Sequence, residues 1–185
     1  MASIDEWLAD ATGSYVLEAP PLSGTPLFLG RAGDQRAGET LFVTATRSAG
    51  GLTPAVRSSV TTVLDCSPGE AGEAADVGSP ADLTGISMPL SEFMKRADSP
   101  AIGFDSVSTL LYYTEEAAVF RFLSVLTAHL RRNDGLGLFV LTPEAHDERT
   151  VRTLAQVFDG RIELDEGGDR VRVGAPDAPD GWQPR

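Results

Sequence analysis

The sequence predicts an α/β fold: a mainly parallel sheet with helices on both faces and a C-terminal β-hairpin. Three observations carry this. Short β-branched or apolar runs alternate with helical patterns, the order produced by right-handed βαβ units. Residues 136–141 (Leu-Gly-Leu-Phe-Val-Leu) are apolar throughout, as a strand covered on both faces must be. Near the end, two strand-like runs at 161–165 and 170–173 flank Glu166-Gly167-Gly168-Asp169, a turn sequence. The 185 residues are enough for one domain with a substantial core. Its expected extent is 1–173, with 174–185 as a disordered tail.

Taken in order, Ser3-x-x-Glu6 is a capping box that opens a short helix around Trp7 and Leu8. Residues 14–19 read as a strand stopped by Pro20-Pro21. Residues 25–38 are ambiguous, because Leu27-Phe28-Leu29 favours a helix that Gly30, Gly33 and Gly38 weaken. Residues 40–46 and 60–65 are β-branched strands. Residues 67–81, rich in Gly, Ala, Pro and acid, bury too little to offset their ordering entropy and read as a mobile surface loop.

A short helix is expected over 90–97 and a brief strand over 101–105. Thr114 is the expected N-cap of the strongest helix, whose stripe Val119, Phe122, Leu123, Leu126 and Leu130 recurs at helical spacing. Asn133-Asp134-Gly135 ends it. Asp147 caps a last helix with Val151, Leu154, Ala155 and Phe158 on one side. In the hairpin, Glu163 and Asp165 are expected to face Arg170 and Arg172.

Composition narrows the function classes. The single cysteine, Cys66, cannot form an intramolecular disulfide, and reads as a small buried residue in a reducing compartment. No apolar run approaches the ~18–20 residues of a membrane span, and no basic-then-apolar leader opens the chain, so a cytoplasmic location is expected. Fifteen basic against twenty-seven acidic residues leave a net charge of −12, with Lys95 the only lysine. Such a chain gains nothing from counterion release on DNA or RNA, which argues against nucleic-acid partners. The acidic excess fits a high-salt cytosol, where carboxylates keep a protein hydrated and soluble. An ordinary acidic protein from a GC-rich genome is the alternative.

In this order the elements resemble the RecA superfamily, and within it KaiC-like proteins. Residues 102–111 (Ile-Gly-Phe-Asp-Ser-Val-Ser-Thr-Leu-Leu) are similar to that family's Walker B strand, and residues 40–48 resemble the strand after its P-loop helix. Residues 79–86, 119–130 and 136–159 resemble haloarchaeal RecA/KaiC-like (HTR-like) proteins with a degenerate P-loop. The resemblance spans roughly residues 14–165 and implies a three-layer RecA/KaiC-like core.

The family's chemistry needs three parts. A P-loop closes glycine backbone N–H groups around phosphate, neutralises it with lysine and holds Mg²⁺ by a hydroxyl. The matching turn here, Ala19-Pro20-Pro21-Leu22-Ser23-Gly24-Thr25-Pro26, has three prolines, which donate no N–H, and no lysine. KaiC-like ATPases also carry paired glutamates after the second strand, where this chain reads Thr44-Ala45-Thr46-Arg47. Only Asp105 with Ser106 survives. The resemblance therefore implies a remnant nucleotide site at most, formed by Gly24, Thr25, Asp105 and Ser106, with no catalytic residue, cofactor or metal site.

Each of these residues also has a bland explanation. Asp105 is either a ligand of Mg²⁺-bound water or a strand-end aspartate capping the next loop, and Ser106, Ser108 and Thr109 read as loop-capping hydroxyls. Gly24 and Thr25 would receive an anion only if Thr25 opens a helix, with Pro26 as its first residue. His146-Asp147 is no dyad, since Asp147 is already used as a cap. Two histidines and one cysteine do not make a metal site. Three functions stay open: a pseudo-ATPase module acting through a protein partner or homo-oligomer in regulation or signalling, a nucleotide-binding regulator with weak ATP or ADP affinity, and a different small-molecule enzyme using the crevice at the strand ends.

Overall fold

The structure, a computed structural model, describes residues 3–20, 25–69 and 76–185. Eight strands form one sheet in the order β3-β2-β4-β5-β1-β6-β7-β8. The parallel strands are β1 (Gly13–Glu18), β2 (Thr40–Thr44), β3 (Thr62–Asp65), β4 (Ala101–Asp105), β5 (Leu136–Leu141) and β6 (Gly160–Leu164). Two antiparallel strands, β7 (Arg170–Gly174) and β8 (Gln183–Pro184), complete it.

Alternation along the strands divides the core in two. Val16, Val43, Phe104 and Phe139 point to one face, covered by α4 (Leu83–Arg96), α5 (Val107–Tyr113), α6 (Glu116–Arg132) and α7 (Glu148–Ala155). Leu17, Phe42, Leu138 and Val140 point to the other, covered by α1 (Ile4–Asp10), α2 (Thr25–Asp34) and α3 (Pro54–Ser58). The all-apolar β5 is buried at every position, as its double coverage requires. This is the expected α/β architecture.

The capping box forms on α1: the Ser3 hydroxyl accepts from the Glu6 N–H, and the Glu6 carboxylate accepts from the Ser3 N–H at 2.7 Å. Two arginines tie this helix down. Arg31 of α2 donates two bonds to Asp5 at 2.6 and 2.8 Å, holding that carboxyl below its ordinary pKa. One terminal nitrogen of Arg36 donates to the carbonyls of Leu8, Ala9 and Ala11 at the end of α1, which offsets part of the cost of a half-buried cation. Its Nε is buried without a hydrogen-bond partner among the described residues.

The ambiguous stretch is helical over Thr25–Asp34. Its glycines lower helix propensity but permit close packing: Gly30 lies against Val56, and a Cβ at Gly33 would collide with the Ser59 carbonyl oxygen of the α3 segment. The helix expected over 90–97 instead begins at Leu83, capped by Asp82, whose carboxylate accepts from Gly85 N–H at 2.8 Å. Gly85, Ser87 and Pro89 had disguised its first half, while burial of Ile86 and Leu90 overrides their low propensity.

Thr114 is not the N-cap of α6. It closes α5, a helix the sequence did not announce, and Glu115 precedes α6. The 67–81 loop is anchored where it is described. Asp76 accepts from the Asp65 N–H at 2.9 Å, the Val77 N–H donates to the Asp65 carbonyl, and Val77 is buried. Residues 70–75 of that stretch lie outside the described residues.

The segment expected to be a disordered tail contributes β8, with the Trp182 ring over Arg170 and Arg172. The hairpin pairs Glu163 with Arg172 as expected, but Asp165 accepts the N–H groups of Asp169 and Arg170 inside the turn rather than a side chain.

Candidate functional site

All six parallel strands end on one side of the sheet, and the remnant residues were expected in the crevice there. From β1 the chain leaves through Ala19 and Pro20 to α2. Gly24, with Pro21, Leu22 and Ser23 of the P-loop-like turn, lies outside the described residues; Thr25 is the buried first residue of α2. Asp105 and Ser106 end β4. Strand β5 lies between β4 and β1, so the two halves of the expected site hang on strands that are not neighbours.

Asp105 is 6 % exposed and pairs in register with Thr44. Its backbone carbonyl accepts the Ala45 N–H at 2.6 Å. Burial pushes its carboxyl pKa up, opposed by the Arg47 guanidinium and the Thr46 hydroxyl. It does not cap the following segment. Ser106 does that, accepting the Thr109 N–H at 3.2 Å as the N-cap of α5. Thr109 Oγ1 then lies 3.0 Å from Ser106 Oγ and 3.2 Å from Thr46 Oγ1, and Ser108 Oγ accepts the Thr142 N–H at 2.9 Å. A hydroxyl network thus fastens β2, β4 and β5 around Asp105. The peptide bond between Asp105 and Ser106 is cis.

Asp65, at the end of β3 on the other side of Thr44, behaves differently. Its carboxylate accepts from Ala49 N–H at 2.6 Å, Ser67 N–H at 3.0 Å and Ser67 Oγ at 2.7 Å. It is a structural cap. Cys66 beside it is fully buried, donates to the Thr44 carbonyl and has its pKa pushed up to about 12 by burial, so its thiol is inert as a nucleophile.

A groove of about 360 Å³ opens where β1, β5 and β6 end. Glu18, Glu144, Glu163, Asp165 and Glu166 line it together with Pro20, Pro143 and Trp182. Sequence reasoning missed this acidic convergence, because its members come from three distant segments. Arg161 reaches Glu18 at 3.5 Å and Glu163 at 3.6 Å. Even so the Glu18 pKa is raised, first by burial and then, against Arg161, by the charges of Glu163 and Glu144.

His146 and Asp147 are not a working pair. Asp147 caps α7 through the Thr150 N–H at 2.8 Å, and burial lowers the His146 pKa. Among the described residues no group of three His, Cys, Asp or Glu side chains is arranged to hold a metal, and no helix is long and apolar enough to cross a membrane.

Sheet order, two helical layers and a strand-end aspartate in the crevice define a RecA-like α/β fold. The crystal structure of the flagellar accessory protein FlaH from Methanocaldococcus jannaschii is similar to it, with a TM-score of 0.58 over 93 % of this chain and 83 % of that one. At 11 % identity the likeness is one of fold. Residues 25–164 match the model of a family of unknown function, DUF7504, and the chain belongs to that family. No curated protein matches it.

Proposed function

We propose that the chain is a non-catalytic RecA/KaiC-like module, a pseudo-ATPase that acts by contact with other proteins in a regulatory or signalling role. The observation that carries this is the acidic groove at the exit of β1. Where a nucleotide-binding core needs cations and donors, this chain places Glu18, Glu144 and Glu163 beside Pro20. Two like charges about 4 Å apart repel by roughly 1 kcal/mol in water. Arg161 and Arg172, already paired with Glu18 and Glu163, offset part of that repulsion. The sequence of the turn, with three prolines and no lysine, supplies nothing against the rest. The single lysine, Lys95, lies in α4, far along the chain. The acidic composition supports a cytoplasmic role at high salt, away from nucleic acid.

The second reading, a regulator with weak ATP or ADP affinity, is favoured by one observation. Asp105 keeps a buried carboxylate whose pKa is raised, an arrangement with no capping purpose.

One thermal-unfolding experiment separates the two. With the purified chain in molar KCl, Mg-ATP at millimolar concentration leaves Tm unchanged under the first reading. A ligand at a hundred times its Kd adds about 2.7 kcal/mol, a rise of several degrees that is readily seen. A rise that grows with nucleotide and disappears in Asp105→Asn would establish the second. The protein-contact half is tested by capture from lysate, identification of the partner and remeasurement of binding with both proteins purified.

A further inference from the structure

Residues 175–185 cross the hairpin and return to the acidic groove, where Trp182 forms part of the wall. Little backbone pairing holds them. Strand β8 is two residues long, and one of these is Pro184, which has no N–H to give β7. The Arg185 N–H donates to the Asp169 carbonyl at 2.8 Å. The path turns through two left-handed positions, Asp177 at φ 59° and Gly181 at φ 71°.

The first part of the segment is packed on the core through Ala175, Ala178 and the buried Pro179. Beyond it the main side-chain hold is the Trp182 ring, 5.0 Å from the Arg172 guanidinium and 5.7 Å from that of Arg170. Arg172 is anchored in turn by Glu163 at 2.6 Å, Glu163 by Arg161, and Arg161 by Glu18 at the end of β1. A chain of charge contacts therefore runs from the indole to the crevice.

We propose that residues 180–185 are a displaceable strap latched by Trp182 and hinged at the core-packed Pro179, and that a partner protein docks by replacing it. The partner offers an extended segment that pairs with β7 and sets an aromatic side chain on Arg170 and Arg172. This names the docking surface of the protein-contact reading and rests on it. The strap is the intramolecular stand-in for that segment: an aromatic residue followed by a short pairing strand, seated on two cations of the sheet's edge. While it is closed, the edge of β7 is blunted and protected from random strand pairing.

The test uses the full chain and a fluorescein-labelled peptide of residues 176–185 as the probe. In Trp182→Ala, hydrogen exchange at the Arg185 amide accelerates at least tenfold, and Trp182→Phe, which keeps a ring, restores most of the protection. The labelled peptide binds Trp182→Ala at least tenfold more tightly than it binds the unaltered chain, and an Ala-for-Trp version of the peptide does not bind. Unchanged exchange in Trp182→Ala would refute the latch, whatever the fate of the protein-contact reading. Faster exchange without peptide binding would refute replacement by a strand. A dimer of the unaltered chain that vanishes in Trp182→Ala would make the occupant a second copy's strap and overturn the separate partner.

Discussion

Two aspartates at strand ends on either side of β2 show how differently one residue type is used. Asp65 accepts three hydrogen bonds and fixes its loop, whereas Asp105 is equally buried and leans on one hydroxyl and one guanidinium. Because the Asp105 pKa is raised in the folded chain, the unfolded chain ionises first, so the penalty on the native state grows as pH rises above the ordinary 3.8 and is complete above the raised value; below 3.8 both states are protonated and it vanishes. Asp105→Asn is therefore expected to raise Tm at neutral pH, by ~2–4 °C for each kcal/mol of burial cost relieved. The gain should shrink as pH falls and be absent below about 3.8, the ordinary value. Thermal unfolding of both proteins from pH 3 to 8 checks it. A loss of stability on substitution at neutral pH would mean the charge is structurally wanted. The identity of this aspartate was legible from Ile-Gly-Phe-Asp-Ser. Its freedom from capping was not, because the rival explanation was eliminated only when Ser106 was found capping a helix.

At the scale of elements, strands were easier to read than helices. β4 and β5 announced themselves through short apolar runs, since a strand inside a covered sheet has no polar face to hide it. The helices α2 and α4 were blurred by glycine and proline placed there for packing. Gly33 illustrates the cause: its missing side chain admits the Ser59 carbonyl, a contact between segments that no local pattern encodes. Gly33→Ala raises helix propensity by roughly 1 kcal/mol yet forces α2 and α3 apart, and overpacking of this kind costs about 1–3 kcal/mol. The net expectation is a destabilised protein, measured by urea unfolding. The same substitution at Gly30, where a Cβ finds 3.5 Å to Val56 Cα, should be tolerated far better. The acidic groove escaped notice for a related reason, as Glu18, Glu144 and Glu163 are brought together only by the strand order.

Across the whole molecule, charge is the dominant physical fact. A net charge of −12 on 185 residues makes the compact state repel itself, and added salt screens that repulsion. Tm is expected to climb on the order of several degrees between about 0.1 M and 2 M KCl, with most of the gain early as the Debye length falls from ~10 Å to below 3 Å. Scanning calorimetry across that range measures it; a flat response would mean the acids are already balanced locally by arginine.

Strand β1 carries a practical consequence. It lies in the interior of the sheet, between β5 and β6, yet precedes the stretch 25–164 over which the family model matches. A chain cut to that stretch would lose an inner stave of its barrel-less wall, leaving two hydrogen-bonding flanks facing a gap one strand wide. It would also lose Leu8, Ala9 and Ala11, whose carbonyls receive the Arg36 cation. The span that defines kinship is thus shorter than the span that can fold, and expression work should start upstream, at the first helix.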